Sequence, residues 1–217
     1  METTFTYERL RTPIGVKTEH ISGGEQYGPR AWRLMAGQVY AENGAESYRV
    51  IDHLPSGAPM LADEPCRISV THAGHMLVVA TLPPAPHADL EEFSETTALG
   101  VDAERLDRTQ VLKVRERFLQ PVETELIPAG DLKAHILAWT AKEAIYKAML
   151  TSGLDFRDAI TLRSLPSPAG SLGRAEARRP SGEKVEFLLC AYEYDGHAVT
   201  LAITPSTITF TGQRAAE

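Results

Sequence analysis

Cysteine is nearly absent from the chain: Cys66 and Cys190 are the only two, and they form no C-x-x-C pair. A disulfide framework and a cysteine zinc site are therefore not indicated, and both thiols are expected in apolar interior positions. Long hydrophobic runs are missing as well. The longest, "MLVVATL" at Met76 to Leu82, is far too short to span a bilayer, and "METTFTYERL" at the start has no basic-then-apolar signal pattern. A cytoplasmic protein with no membrane partner is the expectation. Positive charge is in deficit, with 22 Lys and Arg against 29 Asp and Glu for a net charge of −7. That argues against broad electrostatic binding to nucleic acid or anionic lipid. Several fingerprints are absent: "ISGGEQYG" (Ile21 to Gly28) has glycines but no G-K-[ST], and neither G-x-G-x-x-G nor G-x-S-x-G occurs. His72 and His75 make an H-x-x-H without the helical spacing or glutamate of a zinc protease.

What is present is ordinary globular material. At 217 residues and 43% hydrophobic, the chain can bury a substantial core as one large domain or two small ones. Apolar and β-branched runs predict strands at Tyr48 to Asp52, Arg67 to Thr71, His75 to Leu82, Ala98 to Glu104, Ala159 to Arg163, Val185 to Tyr192 and His197 to Ile203. Helical patterns lie near Arg30 to Tyr40, from Asp107 to Leu119, and most clearly from Asp131 to Thr151, with Asp131 as cap and Gly153 after the end. Leu82 to Ala98 and Pro166 to Lys184 are rich in Pro, Gly, Ser and charge and are expected to be loops. The first divides the chain into 1–97 and 98–217, each half mixed α and β.

Asp102 and Glu104, in "ALGVDAERL", stand two residues apart at the end of an apolar run, so on an extended backbone both point to one face. Held that close they repel unless a cation lies between them, and a solvated strand end is the plain alternative. Hard oxygen donors of this kind suit Mg²⁺ rather than zinc. In "LAWTAKEAIYKAML" (Leu137 to Leu150), a helical wheel puts Leu137, Ala141, Ala144, Ile145 and Ala148 on one stripe that should pack on a sheet. Trp139, Lys142, Glu143 and Tyr146 lie broadly opposite, with Lys147 beside Glu143 at i,i+4. Either this face lines a cleft, with Glu143 as a third carboxylate and two lysines for phosphate, or it carries a solvated ion pair beside a core tryptophan. Arg105 to Phe118 gathers Arg105, Arg108, Lys113, Arg115 and Arg117 against Asp107 and Glu116, as a docking patch or a solvated helix face.

Taken in order, "GVDAE" (Gly100 to Glu104), "RFLQPVE" (Arg117 to Glu123) and "WTAKEAIYK" (Trp139 to Lys147) resemble the G-[IV]-D-x-E, F-x-x-x-E and W-x-x-K-E-[AS]-x-x-K series of the 4′-phosphopantetheinyl transferases. "ISVTHAGHMLVVA" and "SGAP" (Ser56 to Pro59) resemble that family's N-x-S-H-S stretch and its G-K-P element. The length is similar to the larger, surfactin-synthetase-activating type. That resemblance implies an α+β fold: a pseudo-twofold pair of similar subdomains, each a small, mainly antiparallel sheet packed with a long helix, in a monomer.

The resemblance further implies transfer of the phosphopantetheine arm of coenzyme A to a serine of an apo acyl or peptidyl carrier protein, releasing adenosine 3′,5′-bisphosphate. By it, Asp102, Glu104 and Glu143 hold Mg²⁺ (or Mn²⁺), and Lys147 and Lys142 contact phosphates. Glu123, or Glu125 two residues on, acts on the serine, and Thr71 and His72 hold the coenzyme. Carrier proteins are typically acidic, which makes Arg108, Lys113 and Arg115 a landing patch. Ala58 stands where the family commonly has a coenzyme-contacting lysine, and Ser69 and Ala73 replace the usual asparagine and second serine. Arg30 and Arg33 are candidates for further coenzyme contacts. A weak family member that only binds carrier protein or coenzyme A is the second reading; a metal-dependent phosphohydrolase, needing only the carboxylates, is the third.

Overall fold

In a computed structural model, the described residues are 6–22 without 13 and 15, 51–61 without 56, 66–84, 89–151 and 153–205. The expected helix near Arg30 to Tyr40, with Arg30 and Arg33, lies outside them, as does Ser56. Among the described residues the architecture is α+β, with every strand pairing antiparallel. A four-stranded sheet has the order β1 (Thr6–Arg11), β2 (Lys17–Ser22), β6 (Met76–Leu82), β5 (Arg67–Ala73). A five-stranded sheet has the order β7 (Leu99–Arg105), β11 (His197–Ile203), β10 (Lys184–Tyr194), β9 (Gly173–Arg178), β8 (Ile160–Ser164), and β3 (Ile51–His53) pairs with β4 (Pro59–Leu61). The short helices are α1 (Leu90–Thr96), α2 (Gln110–Lys113) and α3 (Arg115–Phe118); α4 (Leu132–Met149) is the long one.

The larger sheet is covered on both faces, and the period-2 alternation of its strands sorts residues by size. Leu99, Val101 and Ala103 of β7, with Val199, Leu201 and Ile203 of β11, pack on Val78, Ala80 and Leu82 of the smaller sheet. The other face offers Ala175, Ala177, Ala191, Ala198 and Ala202 to α4, which buries Leu137, Ala141, Ala144, Ile145 and Ala148 against them. Small side chains on both partners let helix and sheet approach closely. The closest approach is at Gly100, where an added Cβ would fall 1.8 Å from the Ala144 carbonyl oxygen. The glycine of "GVDAE" is thus required by packing against α4.

Several boundaries differ from expectation. The segment from Asp107 to Leu119 forms two single turns with a break at Val114 (φ −105°, ψ 6°); an unbroken helix would stack Lys113 over Arg117 at i,i+4, an unfavourable like-charge pair. Asp131 caps α4 by accepting from the Ala134 N–H, but α4 ends at Leu150 in the left-handed region (φ 51°), before Gly153 is reached. The expected loops contain α1 and β9. In β9, Gly173, Ala175 and Ala177 point inward and Arg174 and Arg178 outward, a period-2 pattern written in residues of low strand propensity. No helix among the described residues is long and apolar enough to cross a membrane.

Candidate functional site

Gly100, Asp102 and Glu104 alternate with Leu99, Val101 and Ala103 along β7, so both carboxylates emerge on the α4 side of the strand. Both are buried, at 8% and 7% exposed, and Glu143 and Lys147 of α4 face them. Asp102 Oδ1 accepts from Lys147 Nζ at 2.7 Å and from Thr71 Oγ1 at 2.9 Å. Lys147 also donates to the Val101 carbonyl at 3.0 Å. Glu104 accepts from the Arg105 N–H through Oε1 and from Arg108 Nη1 through Oε2. Burial, and next the neighbouring Asp102 charge, push the Glu143 carboxyl above the ordinary glutamate range; Lys147 and Arg108 oppose the rise. Three acids and two cations therefore act on one another in one place.

An open cavity of about 430 Å³ begins at Glu104, Glu143 and Arg108. Glu104, Glu143, Arg108 and Arg117 form its polar rim, and Val111, Val114, Phe118, Trp139 and Phe156 its apolar wall. Trp139 meets Phe118 edge-on at 5.2 Å and Phe156 at 5.4 Å, ring centre to ring centre, which fixes the wall. Of the two alternatives for the second face of α4, the cleft-lining one holds for Trp139 and Glu143. A second hollow of about 300 Å³ is lined by Ala58, Pro59, Ser69, Tyr146 and Lys147. Lys147 thus borders one space and salt-bridges a carboxylate beside the other.

Two expectations, for Lys142 and Glu123, need correction. Lys142 is not available to a phosphate: it is fully buried, and its ammonium donates to the Phe118 carbonyl (2.6 Å), the Ile160 carbonyl (2.8 Å) and Glu123 Oε2 (2.8 Å), which uses all three protons. Burial pushes its pKa down, and Glu123 counters that. Glu123 is equally sealed. Its Oε2 also accepts from the Gln120 N–H (2.7 Å) and its Oε1 from the Leu162 N–H (2.6 Å), so it cannot reach a serine hydroxyl in this arrangement, while Glu125 is exposed. Thr71 donates its hydroxyl to Asp102 and keeps its lone pairs, and His72, next along β5, projects from the opposite, exposed face, open to a ligand. Arg108 is exposed and pairs with Glu104; Lys113 and Arg117 are exposed as well, and Arg115 is half-buried.

The wheel placed Lys142 on the second face correctly by angle but could not show that the turn at 121–125 and β8 close over it. Ser69 is a contributor that composition did not reveal: its Oγ accepts from the Val101 N–H at 3.0 Å. With Thr71 it makes two hydroxyls of one strand that grip β7 at consecutive residues. Cys190 is buried, its thiol pushed up to about 11, and so inert, as expected.

The donor set fits a hard divalent cation, since Asp102, Glu104 and Glu143 offer only carboxylate oxygens. Among the described residues no three such groups already stand in ligating geometry; Lys147 and Arg108 hold the oxygens instead. Compared with known families, residues 98–202 match the model for the 4′-phosphopantetheinyl transferase superfamily. No curated protein matches the chain.

Proposed function

Residues 98–202 form a domain of the 4′-phosphopantetheinyl transferase superfamily, and from that premise we propose that the protein transfers the phosphopantetheine arm of coenzyme A to a serine of an apo acyl or peptidyl carrier protein. The observation that carries this reading is the meeting of Asp102, paired with Lys147, with Glu104 and Glu143, the two carboxylates that line one cavity. The serine oxygen bonds to the arm's phosphorus as the bridging P–O bond breaks, and adenosine 3′,5′-bisphosphate leaves. Asp102, Glu104 and Glu143 would hold Mg²⁺, or Mn²⁺, which when bound neutralises charge on the phosphates. Lys147, on the border of the second hollow, meets the pyrophosphate and offsets charge on the leaving group. The uncharged pantetheine chain suits the cavity walled by Phe118, Trp139 and Phe156, whose volume is in the range of small-molecule sites. The serine proton leaves by a route that avoids Glu123, whose place is in the buried pair with Lys142.

Lys113, Arg115 and Arg117 supply the positive surface for an acidic carrier. We take 1–97 and 98–217 as the two subdomains, the pseudo-twofold pair of a monomer. Binding without turnover is the second reading, favoured by Ala58, which puts a methyl group in the second hollow where the resemblance leads one to expect a lysine. Incubating the protein with Mg²⁺, coenzyme A and apo carrier proteins, followed by intact mass, decides between them. A phosphopantetheine increment on a carrier supports transfer; coenzyme bound with every carrier unmodified supports the second reading. Coenzyme cleaved without carrier modification would instead make the protein a hydrolase.

A further inference from the structure

Two of the three carboxylates of the site already carry cations supplied by the chain, and the two cations differ in kind. Lys147 comes from within α4 and is anchored a second time on the Val101 carbonyl. Arg108 comes from the turn after β7; its side chain is 49% exposed, while that of Glu104 is 10% exposed. Its one side-chain hydrogen bond among the described residues is to Glu104 Oε2, and it borders the cavity whose rim also includes Glu143. A half-exposed guanidinium on a nearly buried carboxylate occupies oxygens that a hard divalent cation would need. The guanidinium can leave into solvent, because its own side chain is already half exposed.

Resting on the metal-site reading above, we propose that Arg108 is an intramolecular competitor of the divalent metal at Glu104. Metal entry releases Arg108 from Glu104, and the freed guanidinium then faces the mouth of the cavity beside Lys113 and Arg117. Linkage makes the effect reciprocal: an anionic partner that draws Arg108 away from Glu104 tightens metal binding. The basic stretch is thereby divided by role, with Arg108 coupled to the metal and its neighbours acting only as surface charge.

The test is Mn²⁺ binding to the full chain at low salt, followed by the electron paramagnetic resonance of free Mn²⁺, with circular dichroism melts confirming that each variant folds. Arg108→Gln should tighten Mn²⁺ binding about three- to tenfold, by freeing Glu104 and removing a repelling charge. Lys113→Gln, which removes the same charge without touching Glu104, should change it less than twofold. Equal tightening by both variants would reduce the effect to general electrostatics and overturn the proposal. Unchanged or weaker binding in Arg108→Gln, with binding lost in Glu143→Gln, would overturn the competition and leave the metal site standing. Absence of Mn²⁺ binding at millimolar concentration in both wild type and Arg108→Gln would overturn the metal site as well.

Discussion

Glu123→Gln should cost the protein much of its stability, and the reason lies in donors and acceptors more than in charge. Glu123 Oε2 accepts from Lys142 Nζ and from the Gln120 N–H, and Oε1 from the Leu162 N–H. A glutamine amide placed there sets an NH₂ group against two donors in one orientation and against the Leu162 N–H in the other. Either way a buried donor is left without an acceptor, and the Lys142 ammonium loses the one buried counter-charge it has among the described residues. Removing one partner of a buried pair costs about 3–5 kcal/mol, which for a chain of this size lowers Tm by roughly 6–20 °C. Lys142→Met should cost a similar amount, and the Glu123→Gln, Lys142→Met double variant less than the two singles combined, because no lone charge remains. Urea denaturation followed by circular dichroism gives all three values. A Glu123→Gln protein within about 1 kcal/mol of wild type but devoid of transferase activity would refute the sealed-pair reasoning and return Glu123 to the chemistry.

Two other perturbations bear on the site. Glu143→Gln should abolish transfer yet raise Tm at pH 7: the folded-state pKa of Glu143 lies above the ordinary 4.5, so the native state binds more protons than the unfolded chain and ionisation destabilises it as pH rises through that window. The gain should vanish below pH 4.5, where the glutamate is protonated in both states, and a melt series from pH 4 to 8 would show a flat difference if the reasoning is wrong. Gly100→Ala places a methyl group against the Ala144 carbonyl, a backbone atom that cannot swing aside, so α4 must move. A stability loss of about 1–3 kcal/mol and a fall in kcat of about a hundredfold should appear together; wild-type turnover in this variant would disprove the close approach.

The carboxylates were legible because spacing decides facing: Asp102 and Glu104 two apart on a strand, and Glu143 on the face of α4 opposite its alanines. Trp139 was legible for the same reason and stands where a cleft wall was expected. Lys142 was not, since a wheel gives an angle about the helix axis and is silent about the 121–125 turn that covers Lys142 from outside the helix. Arg108 is exposed, as its place among five basic residues suggests, but its pairing with Glu104 depends on the turn at Leu106 and Asp107, which a count of charges does not show. The strands β1, β2 and β9 escaped because charged residues, or Ala and Gly, stand where β-branched residues announce a strand. Antiparallel sheets were expected from the resemblance alone, and their face-to-face packing depends on which side each apolar row takes.

Ser69 and Thr71 have a consequence for how this protein can be divided. The stretch that matches the superfamily begins at residue 98, yet the Val101 amide and an Asp102 carboxylate oxygen are held by hydroxyls some thirty residues earlier in the chain. The part that can be recognised and the part that is self-sufficient therefore have different borders. A chimera joined at the visible border would inherit the acids and lose the strand that aims one of them, so any transplant of this site has to carry β5 along with β7.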